Sequence, residues 1–447
     1  MRALSNENPA ADRRRETECP RRRILLVAYT YPPMPTVGAN RTDAMARHLR
    51  LLGHDVTVLT TAAFGHRRNW DDEQGVVRVP DLTSSVWLRR LLRRPPLLPS
   101  DDEPSGSRPG NPEATPLPGP LSRLFVPDPV LFAWGIPALA HAIRLVRRRR
   151  VDCVITSSPY ESVHLLGLAL AILGIAWVAD FRDGWRFNDW RPKFLVPQQD
   201  WLDRTMERLV MRRATRVVVA TPAIADDVRR RLRIDPVCIR NGFDGSRHRD
   251  LPAPRLPSLP ADAVTLAHVG SLLSGGPKDP RPLLEGLRRF RKTDPELASR
   301  LRVLFVGRLE AVDRQALADH GLGDQIVLLG ERSHAESVAL ERAVDGLLLI
   351  LDAGSPALTG KLSEYLHSGT PIIAVADLEA AAVVAKTGTG VAVDPRSPDA
   401  IAVQLKRLVT GELAAHYKPV GIDAYAYPTP AQLMAAEVEK AIQLKRG

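Results

Sequence analysis

The chain of 447 residues is 44% hydrophobic and 25% charged, a globular composition with enough length for two or three domains. Its net charge of +11 indicates either solvated arginine-rich helix faces or attraction to anionic partners such as nucleotide phosphates, lipid head groups or acidic glycans. Aromatic residues make up 5% of the chain and do not interleave with the basic clusters, so we predict no nucleic-acid partner. The three cysteines form neither a disulfide framework nor a metal spacing and favour a cytoplasmic compartment.

The chain begins with a polar stretch, for which we predict a disordered tail over 1–22 and no signal peptide. A strand over 24–29, a helix over 43–53 and a strand over 55–61 then follow. Continuous apolar strands that alternate with helices indicate a parallel sheet covered on both faces. The intervening loop, Pro32 to Asn40, lacks G-x-G-x-x-G, which argues against a dinucleotide-dependent dehydrogenase. It is either a structural loop or an anion site at a helix N-terminus near residue 42.

Three segments of the first half have an unusual composition. Residues 93–122 are rich in Pro, Gly and Ser, and we predict a disordered insertion there. The flanking residues 86–99 mix leucine with arginine, which is typical of an amphipathic helix end or of a membrane-surface patch. The apolar residues 163–179 are at the lower limit for a membrane span, but a buried helix over 162–172 followed by a strand over 175–180 explains them better.

The alternation of strands and helices continues to the end of the chain. The predicted domains are a first Rossmann-like domain over 23–248, a linker over 249–262, a second Rossmann-like domain over 263–412 and a C-terminal helix within 413–447 that returns to the first domain. Such a pair of doubly wound domains predicts a cleft between the carboxyl ends of their strands, where ligands bind.

The stretch AGSPALTGKLSEYLHSGTPIIAV (353–375) has the layout of a phosphate-binding P-loop, with an apolar strand before Gly360 and Lys361. The P-loop spacing fails, because Gly354 is one residue too far away and Leu362 replaces the hydroxyl residue that binds Mg²⁺. Lys361 and Glu364 lie at i and i+3 on a predicted helix and therefore share a face. They form either a solvated ion pair or a site in which the carboxylate takes two ribose hydroxyls and the lysine takes phosphate oxygens.

Three further strand ends carry candidate residues. ADFRDGW (179–185) puts Asp180, Arg182 and Asp183 after a strand, either as a structural ion pair or as groups that orient a substrate hydroxyl and hold an anion. Ser158 and His164 follow the neighbouring strand. In the second domain, Gly270 directly follows the first strand, and Lys278 lies beyond it in a position to hold a diphosphate.

Together these stretches resemble glycosyltransferase family 4, whose members have the GT-B fold of two Rossmann-like domains. The resemblance covers residues 24–440 and rests on five stretches in the family's order: ILLVAYTYPPMPTVGANR with LGHDVTVLT, ADFRDGW, IRNGFD, VGSL with KDPRPLLEGL, and TGKLSEYLHSGTPIIAV. It implies a hexosyltransferase-type enzyme that moves a sugar from a nucleoside diphosphate sugar to an acceptor hydroxyl with retention, without a cofactor or an obligatory metal.

The resemblance also implies roles for individual residues. Gly38, Gly270, Lys278, Lys361 and Glu364 bind the donor, with the lysines on the diphosphate and Glu364 on the ribose. Asp180, Arg182 and Asp183 are the implied catalytic residues, and the implied acceptor-side residues are Pro33, Asn40, Ser158 and His164.

Three departures from the family pattern keep other functions open. Pro356 stands where members commonly carry the first glutamate of E-x7-E. Many members also have an Arg and a Lys after the turn that follows the first strand of the second domain, and here only Lys278 matches. The loop before residue 40 has one glycine where many members have two. A nucleotide-sugar epimerase and a non-catalytic partner subunit are the alternatives.

The predicted acceptor is a glycan, a lipid-linked molecule or a small metabolite. Arg–Leu surfaces at 86–94 and 207–213 predict contact with the inner face of the cell membrane.

Overall fold

A computed structural model describes most of the chain. The described residues are 20–32, 34, 37–63, 75–82, 123–187, 194–247, 251–254, 256–270, 272, 278–307, 309, 311–318, 321–323, 325–354 and 360–447. Pro33, Pro356 and the segments 1–19, 83–122 and 355–359 lie outside them, as do the predictions made for those residues.

The chain divides into two compact units. Unit 1 contains Met1–Val219, Val228–Val237 and Met434–Gly447, and unit 2 contains Ala220–Asp227 and Cys238–Leu433. The ion pairs Arg22–Glu439 and Arg216–Glu437 join the last segment of unit 1 to the rest of that unit.

Most strands are apolar runs with buried side chains. In chain order the strands are β1 (Arg23–Val27), β2 (Asp55–Thr61), β3 (Val76–Val79), β4 (Cys153–Ser157), β5 (Ala176–Phe181), β6 (Arg216–Val219), β7 (Val237–Cys238), β8 (Val264–Val269), β9 (Leu301–Val306), β10 (Ile326–Gly330), β11 (Gly346–Ile350), β12 (Ile372–Val375) and β13 (Gly390–Val393). Of these, β3, β7, β10 and β13 are mostly half-buried or exposed.

Most helices connect successive strands, and the last three follow the last strand. They are α1 (Val37–Leu51), α2 (Ile136–Arg149), α3 (Ser162–Ile172), α4 (Pro197–Arg213), α5 (Pro222–Leu232), α6 (Arg281–Thr293), α7 (Pro295–Arg300), α8 (Ala311–Ala318), α9 (His334–Glu341), α10 (Gly360–Leu366), α11 (Leu378–Thr387), α12 (Pro398–Val409), α13 (Glu412–His416) and α14 (Thr429–Arg446). A π-helical turn (Leu131–Gly135) precedes α2, and two short 3₁₀ segments (Gly245–Arg247 and Ile422–Tyr425) complete the set.

Each unit contains one sheet with the strand order of a Rossmann fold. Sheet 1 has the order β3-β2-β1-β4-β5-β6-β7 and sheet 2 the order β10-β9-β8-β11-β12-β13. Register-resolved neighbours such as β1 with β4 and β8 with β9 run parallel. The order reverses between β1 and β4 in sheet 1 and between β8 and β11 in sheet 2. Ligands of such sheets bind at the carboxyl ends of the strands beside that reversal.

Apolar side chains cover both faces of sheet 2. One core cluster includes Leu266, Leu287 and Phe305, and the opposite cluster includes Ala267, Leu347 and Tyr365. Burial on both faces explains why these strands appear as continuous apolar runs in the sequence. The predicted class, two Rossmann-like α/β domains, is confirmed for the described residues.

Most predicted elements match the structure to within two residues, and α1 is the main exception. This helix begins at Val37, so Gly38 and Asn40 lie in its first turn and not in a loop. The Thr42 hydroxyl donates to the Gly38 carbonyl at 3.0 Å, and Ala39 is fully buried. Tertiary packing of this turn therefore outweighs the low helix propensity of its glycine.

Within the described part of the chain, no helix combines the length and the apolar character that crossing a membrane requires.

Candidate functional site

Asp180 in unit 1 lies at the end of β5 with both carboxylate oxygens engaged. Arg41 of α1 donates from Nη2 to Oδ1 at 2.8 Å and from Nε to Oδ2 at 3.2 Å, and the Ser157 hydroxyl donates to Oδ2 at 2.7 Å. The Arg41 and Asp180 side chains are each 3% exposed. A buried bidentate pair of this kind fixes α1 to the sheet. Sequence reasoning missed the role of Arg41, because its partner is 139 residues away.

Arg182, Asp183, Ser158 and Gly38 meet beside the strand reversal of sheet 1. Arg182 donates to Asp183 Oδ2 from Nη2 at 2.6 Å and from Nε at 3.1 Å, and its backbone N–H donates to Ser158 Oγ at 3.0 Å. A Cβ atom at Gly38 would lie only 2.5 Å from Arg182 Nη1. The Arg182 side chain is 19% exposed and can still contact an anion. The structure therefore brings four of the predicted residues together.

His164 lies in the core of unit 1. Its Nδ1 is 2.8 Å from Thr156 Oγ1, which also accepts from Trp177 Nε1, and its ring lies 4.0 Å from the ring of Phe181. Burial lowers the pKa of His164 to about 3, so the ring is neutral at pH 7. Its full burial favours a packing role over direct contact with an acceptor. Asn40, in contrast, is exposed on α1.

In unit 2, glycines follow the neighbouring strands β8 and β9. Gly270 has φ of +144° and Gly307 has φ of +137°, a region that favours glycine. The Gly270 N–H donates to the Val306 carbonyl at 2.8 Å, and a Cβ atom at Gly307 would lie 2.5 Å from the Gly270 oxygen. At the carboxyl ends of β8 and β9, these two positions therefore have no side chain that covers the backbone.

Lys361 in α10 contacts two carboxylates. Its Nζ lies 2.6 Å from Glu364 Oε2 and 3.2 Å from Oε1 of Glu341, the last residue of α9. The Lys361 side chain is 28% exposed and that of Glu364 18%, whereas that of Glu341 is 1% exposed. We call these three residues the lysine cluster. Sequence reasoning missed Glu341, whose only sequence signal is a charged residue among the apolar positions of α9.

Burial and charge act on the lysine cluster in opposite directions. Burial raises the pKa of Glu341 to about 7, although Lys361 opposes that rise. For Lys361, burial lowers the pKa, but Glu341 and Glu364 outweigh burial and the pKa is raised above its ordinary value. The cluster therefore holds one cation between two carboxylates of unequal burial.

Tyr365 connects α10 to the strand reversal of sheet 2. Its buried hydroxyl accepts from the backbone N–H of Val269, the residue before Gly270, at 2.9 Å. Lys361 and Glu364 therefore lie on a helix that is anchored to the end of β8.

Lys278 is half-buried beside Asp279, whose carboxylate accepts from the Arg281 N–H at 3.0 Å at the start of α6. Asp352, two residues after β11, is hydrogen-bonded to the backbone of Asp279. This contact puts the segment that carries Lys278 beside the carboxyl end of β11.

Among the residues that the structure describes, no three His, Cys, Asp or Glu side chains converge in a way that could hold a metal ion.

Comparison with known families identifies the two units. Residues 38–242 match the model of the glycosyl transferase 4-like domain, and residues 263–411 match that of the glycosyl transferases group 1. The chain therefore belongs to the group 1 glycosyltransferases, and the predicted family is confirmed. A sequence comparison with curated proteins finds no match.

Solved structures resemble the fold over nearly the whole chain. Sucrose-phosphate synthase from Thermosynechococcus elongatus is 17% identical with a TM-score of 0.60, and the alignment covers 94% of this chain and 98% of that one. A glycosyltransferase from Rickettsia africae is 14% identical with a TM-score of 0.55, covering 95% and 99%. Anabaena HepE in complex with UDP and glucose is 15% identical with a TM-score of 0.52, covering 95% and 97%. At these identities the likeness supports the GT-B fold alone.

Proposed function

We propose that this glycosyltransferase moves a sugar from a nucleoside diphosphate sugar to an acceptor hydroxyl with retention at the anomeric carbon. The observation that carries the proposal is the placement of Lys361 and Glu364 on α10, which Tyr365 anchors at the strand reversal of sheet 2. The related Anabaena structure contains UDP and glucose, which supports a nucleotide-sugar donor here.

In this proposal, Glu364 takes the two ribose hydroxyls and Lys361 takes oxygens of the diphosphate. The bare main chain at Gly270 and Gly307 lets the diphosphate approach the backbone, and Lys278 adds a second ammonium group. Departure of the diphosphate leaves negative charge on its oxygens, so the reaction requires fixed positive charge more than a strong base. Each charge-assisted contact contributes roughly 1.5–3 kcal/mol.

In unit 1, we assign the direct contact with the sugar or its phosphate to Arg182, with Gly38 beside it. Asp183 orients the guanidinium through two hydrogen bonds. The buried carboxylate of Asp180 does not contact the sugar in this proposal. It binds Arg41 and so holds α1, and with it Gly38, in place. Asp180 is thus a positioning residue in this proposal.

A transfer assay tests the proposed reaction. Purified protein is incubated with UDP-, GDP-, ADP- and dTDP-hexoses, with and without a membrane extract as the source of acceptor, and the nucleotide and sugar products are followed by NMR. We expect release of one nucleoside diphosphate that depends on the acceptor, with the α configuration kept from an α-linked donor. A changed sugar without any acceptor would indicate an epimerase, and binding without any reaction would indicate a non-catalytic subunit.

The proposal includes transfer to a glycan or glycoconjugate acceptor at the inner face of the cell membrane. Helix α4 supports this location, because it exposes Trp201, Leu202 and Leu209 beside arginines. Apolar and basic side chains on one helix surface are typical of binding to anionic lipid. The Arg–Leu stretch 86–94 lies outside the described residues.

Vesicle sedimentation tests this surface. Wild-type protein is expected to bind vesicles that contain phosphatidylglycerol and not vesicles of phosphatidylcholine alone. The Trp201→Ser variant should lose that binding, whereas Ile172→Ser, which changes an exposed apolar residue on α3, should keep it. Equal loss in both variants would contradict a role for α4.

A further inference from the structure

Glu341 is a buried acid whose charge is not required to balance the lysine cluster. Its side chain is 1% exposed and lies 3.2 Å from Lys361 Nζ, which is also 2.6 Å from Glu364. Among the described residues, the charged or titratable groups that act on it are Lys361, Glu364 and Tyr365 on α10 and Arg342 in the next position of the chain. The single ammonium of Lys361 is thus shared by two carboxylates before any ligand arrives.

We propose that Glu341 is a positioning residue that holds Lys361 and takes up one proton from solvent when a nucleoside diphosphate binds. This inference rests on the function proposed above. It adds that the donor site is completed by protonation of an acid that the ligand does not touch.

Charge balance gives the physical reason. With both glutamates ionised, the lysine cluster has a net charge of −1, and a diphosphate would bring more negative charge beside it. Repulsion between like charges is strong where water is excluded, and it favours the neutral form of the most buried acid. A neutral Glu341 still accepts a hydrogen bond from Lys361 through its carbonyl oxygen, so the ammonium stays in position while its charge serves the phosphate.

The burial of Glu341 makes this proton uptake accessible near neutral pH. Because burial raises its pKa to about 7, a small further rise on ligand binding suffices to protonate it. Glu364 is the more exposed acid of the two, and its carboxylate is the one that a ribose can reach.

Calorimetric titration at pH 8 measures the proton directly. The probe is whichever of UDP, GDP, ADP or dTDP binds wild-type protein most tightly, and the titration is run in Tris and in EPPS, which differ in ionisation enthalpy. At pH 8 the terminal phosphate is already ionised and ordinary histidines are neutral, so neither contributes a proton. We expect wild-type protein to take up a measurable fraction of one proton, with a Kd that rises with pH.

Two variants assign the proton to its residue. Glu341→Gln keeps an acceptor for Lys361 but cannot be protonated, and we expect it to bind the same nucleotide with equal heats in both buffers and a Kd that is flat from pH 7 to 9. Glu285→Gln, at a half-exposed glutamate of α6, should behave as wild type.

The outcomes separate the two proposals. If wild-type protein binds with no buffer-dependent heat and a Kd independent of pH, the role of Glu341 is overturned and the proposed function stays intact. Proton uptake that persists in Glu341→Gln would have the same meaning. If none of the four nucleotides binds wild-type protein, the proposed function fails and this inference fails with it. Should Glu341→Gln not fold, the wild-type heats and the pH dependence of Kd decide the question.

Discussion

The two units each contain a charged cluster at the strand edge, and the two clusters differ in their charge balance. In unit 1, one arginine meets one aspartate, both side chains are 3% exposed, and a serine hydroxyl completes the contacts of the carboxylate. In unit 2, one lysine meets two glutamates, and two of the three side chains are partly exposed. The balanced cluster fixes a helix to its sheet, whereas the unbalanced one has one carboxylate more than its single cation neutralises.

The largest effect that we predict comes from breaking the balanced cluster. Asp180→Asn removes the negative charge from the buried Arg41–Asp180 pair, and we expect a loss of roughly 3–5 kcal/mol in the free energy of unfolding. All seven tryptophans precede residue 220, so fluorescence during urea unfolding reports on unit 1. Asp183→Asn, which changes a carboxylate that is 40% exposed, should cost less than about 1 kcal/mol. Equal stability of Asp180→Asn and wild type would show that the buried pair is not structural.

The second prediction concerns the unbalanced cluster. Lys361→Ala removes the proposed contact with the departing diphosphate. That contact is worth roughly 1.5–3 kcal/mol, so we expect a loss of about 10–100-fold in kcat/KM. The matched control is Lys406→Ala, which removes a lysine that pairs with Asp294 on another face of unit 2. Normal turnover in Lys361→Ala, or an equal loss in the control, would contradict the role of Lys361.

The third prediction uses pH to separate the two units. The pKa of His164 is lowered to about 3 by burial, so between pH 6.5 and 3 the unfolded state binds more protons and unit 1 loses stability as the pH falls. Lowering the pH from 7 to 5 should cost about 2 kcal/mol in the free energy of unfolding. The raised pKa of Glu341 has the opposite effect on unit 2. As the pH rises toward 7, the unfolded state has already released this proton and the folded state still binds it, so unit 2 loses stability.

Tryptophan fluorescence during urea unfolding at pH 7 and pH 5 checks the histidine effect. In His164→Gln, which keeps a polar group beside Thr156, the difference between the two pH values should shrink by most of those 2 kcal/mol. An unchanged difference would assign the acid sensitivity of unit 1 to other groups.

The smallest predicted effect is a few-fold loss of activity in Gly38→Ala. The added methyl group would lie 2.5 Å from Arg182 Nη1, 3.1 Å from Thr30 Oγ1 and 3.2 Å from Pro159 Cδ. We expect the far end of the long Arg182 side chain to shift while the fold is kept. We expect an unchanged melting temperature and a raised KM for the donor. Gly323→Ala, where a Cβ atom has open space, serves as the control. A melting temperature lowered only in Gly38→Ala would point to a structural need for this glycine.

The sequence predicts the strands well and the tertiary contacts poorly, for physical reasons. Runs such as LLLIL (347–351) are buried on both sheet faces, so burial alone specifies them. The strand β3 was missed because its four residues, VVRV, form a short edge strand that is mostly half-buried. The pairing of Lys361 with Glu364 follows from helical spacing, but the contacts of Asp180 with Arg41 and of Lys361 with Glu341 join residues 139 and 20 positions apart. No local pattern contains such contacts.

We propose that the lysine cluster of unit 2 binds a nucleoside diphosphate. The most direct measurement is calorimetric thermal unfolding with UDP, GDP, ADP and dTDP, for wild-type protein, Glu364→Ala and the control Glu285→Ala. A nucleotide at 100 times its Kd adds roughly 2.7 kcal/mol of stability. We predict that one nucleotide raises the melting temperature of wild type and Glu285→Ala and has no effect on Glu364→Ala. A shift that survives in Glu364→Ala, or no shift with any nucleotide, would contradict the claim.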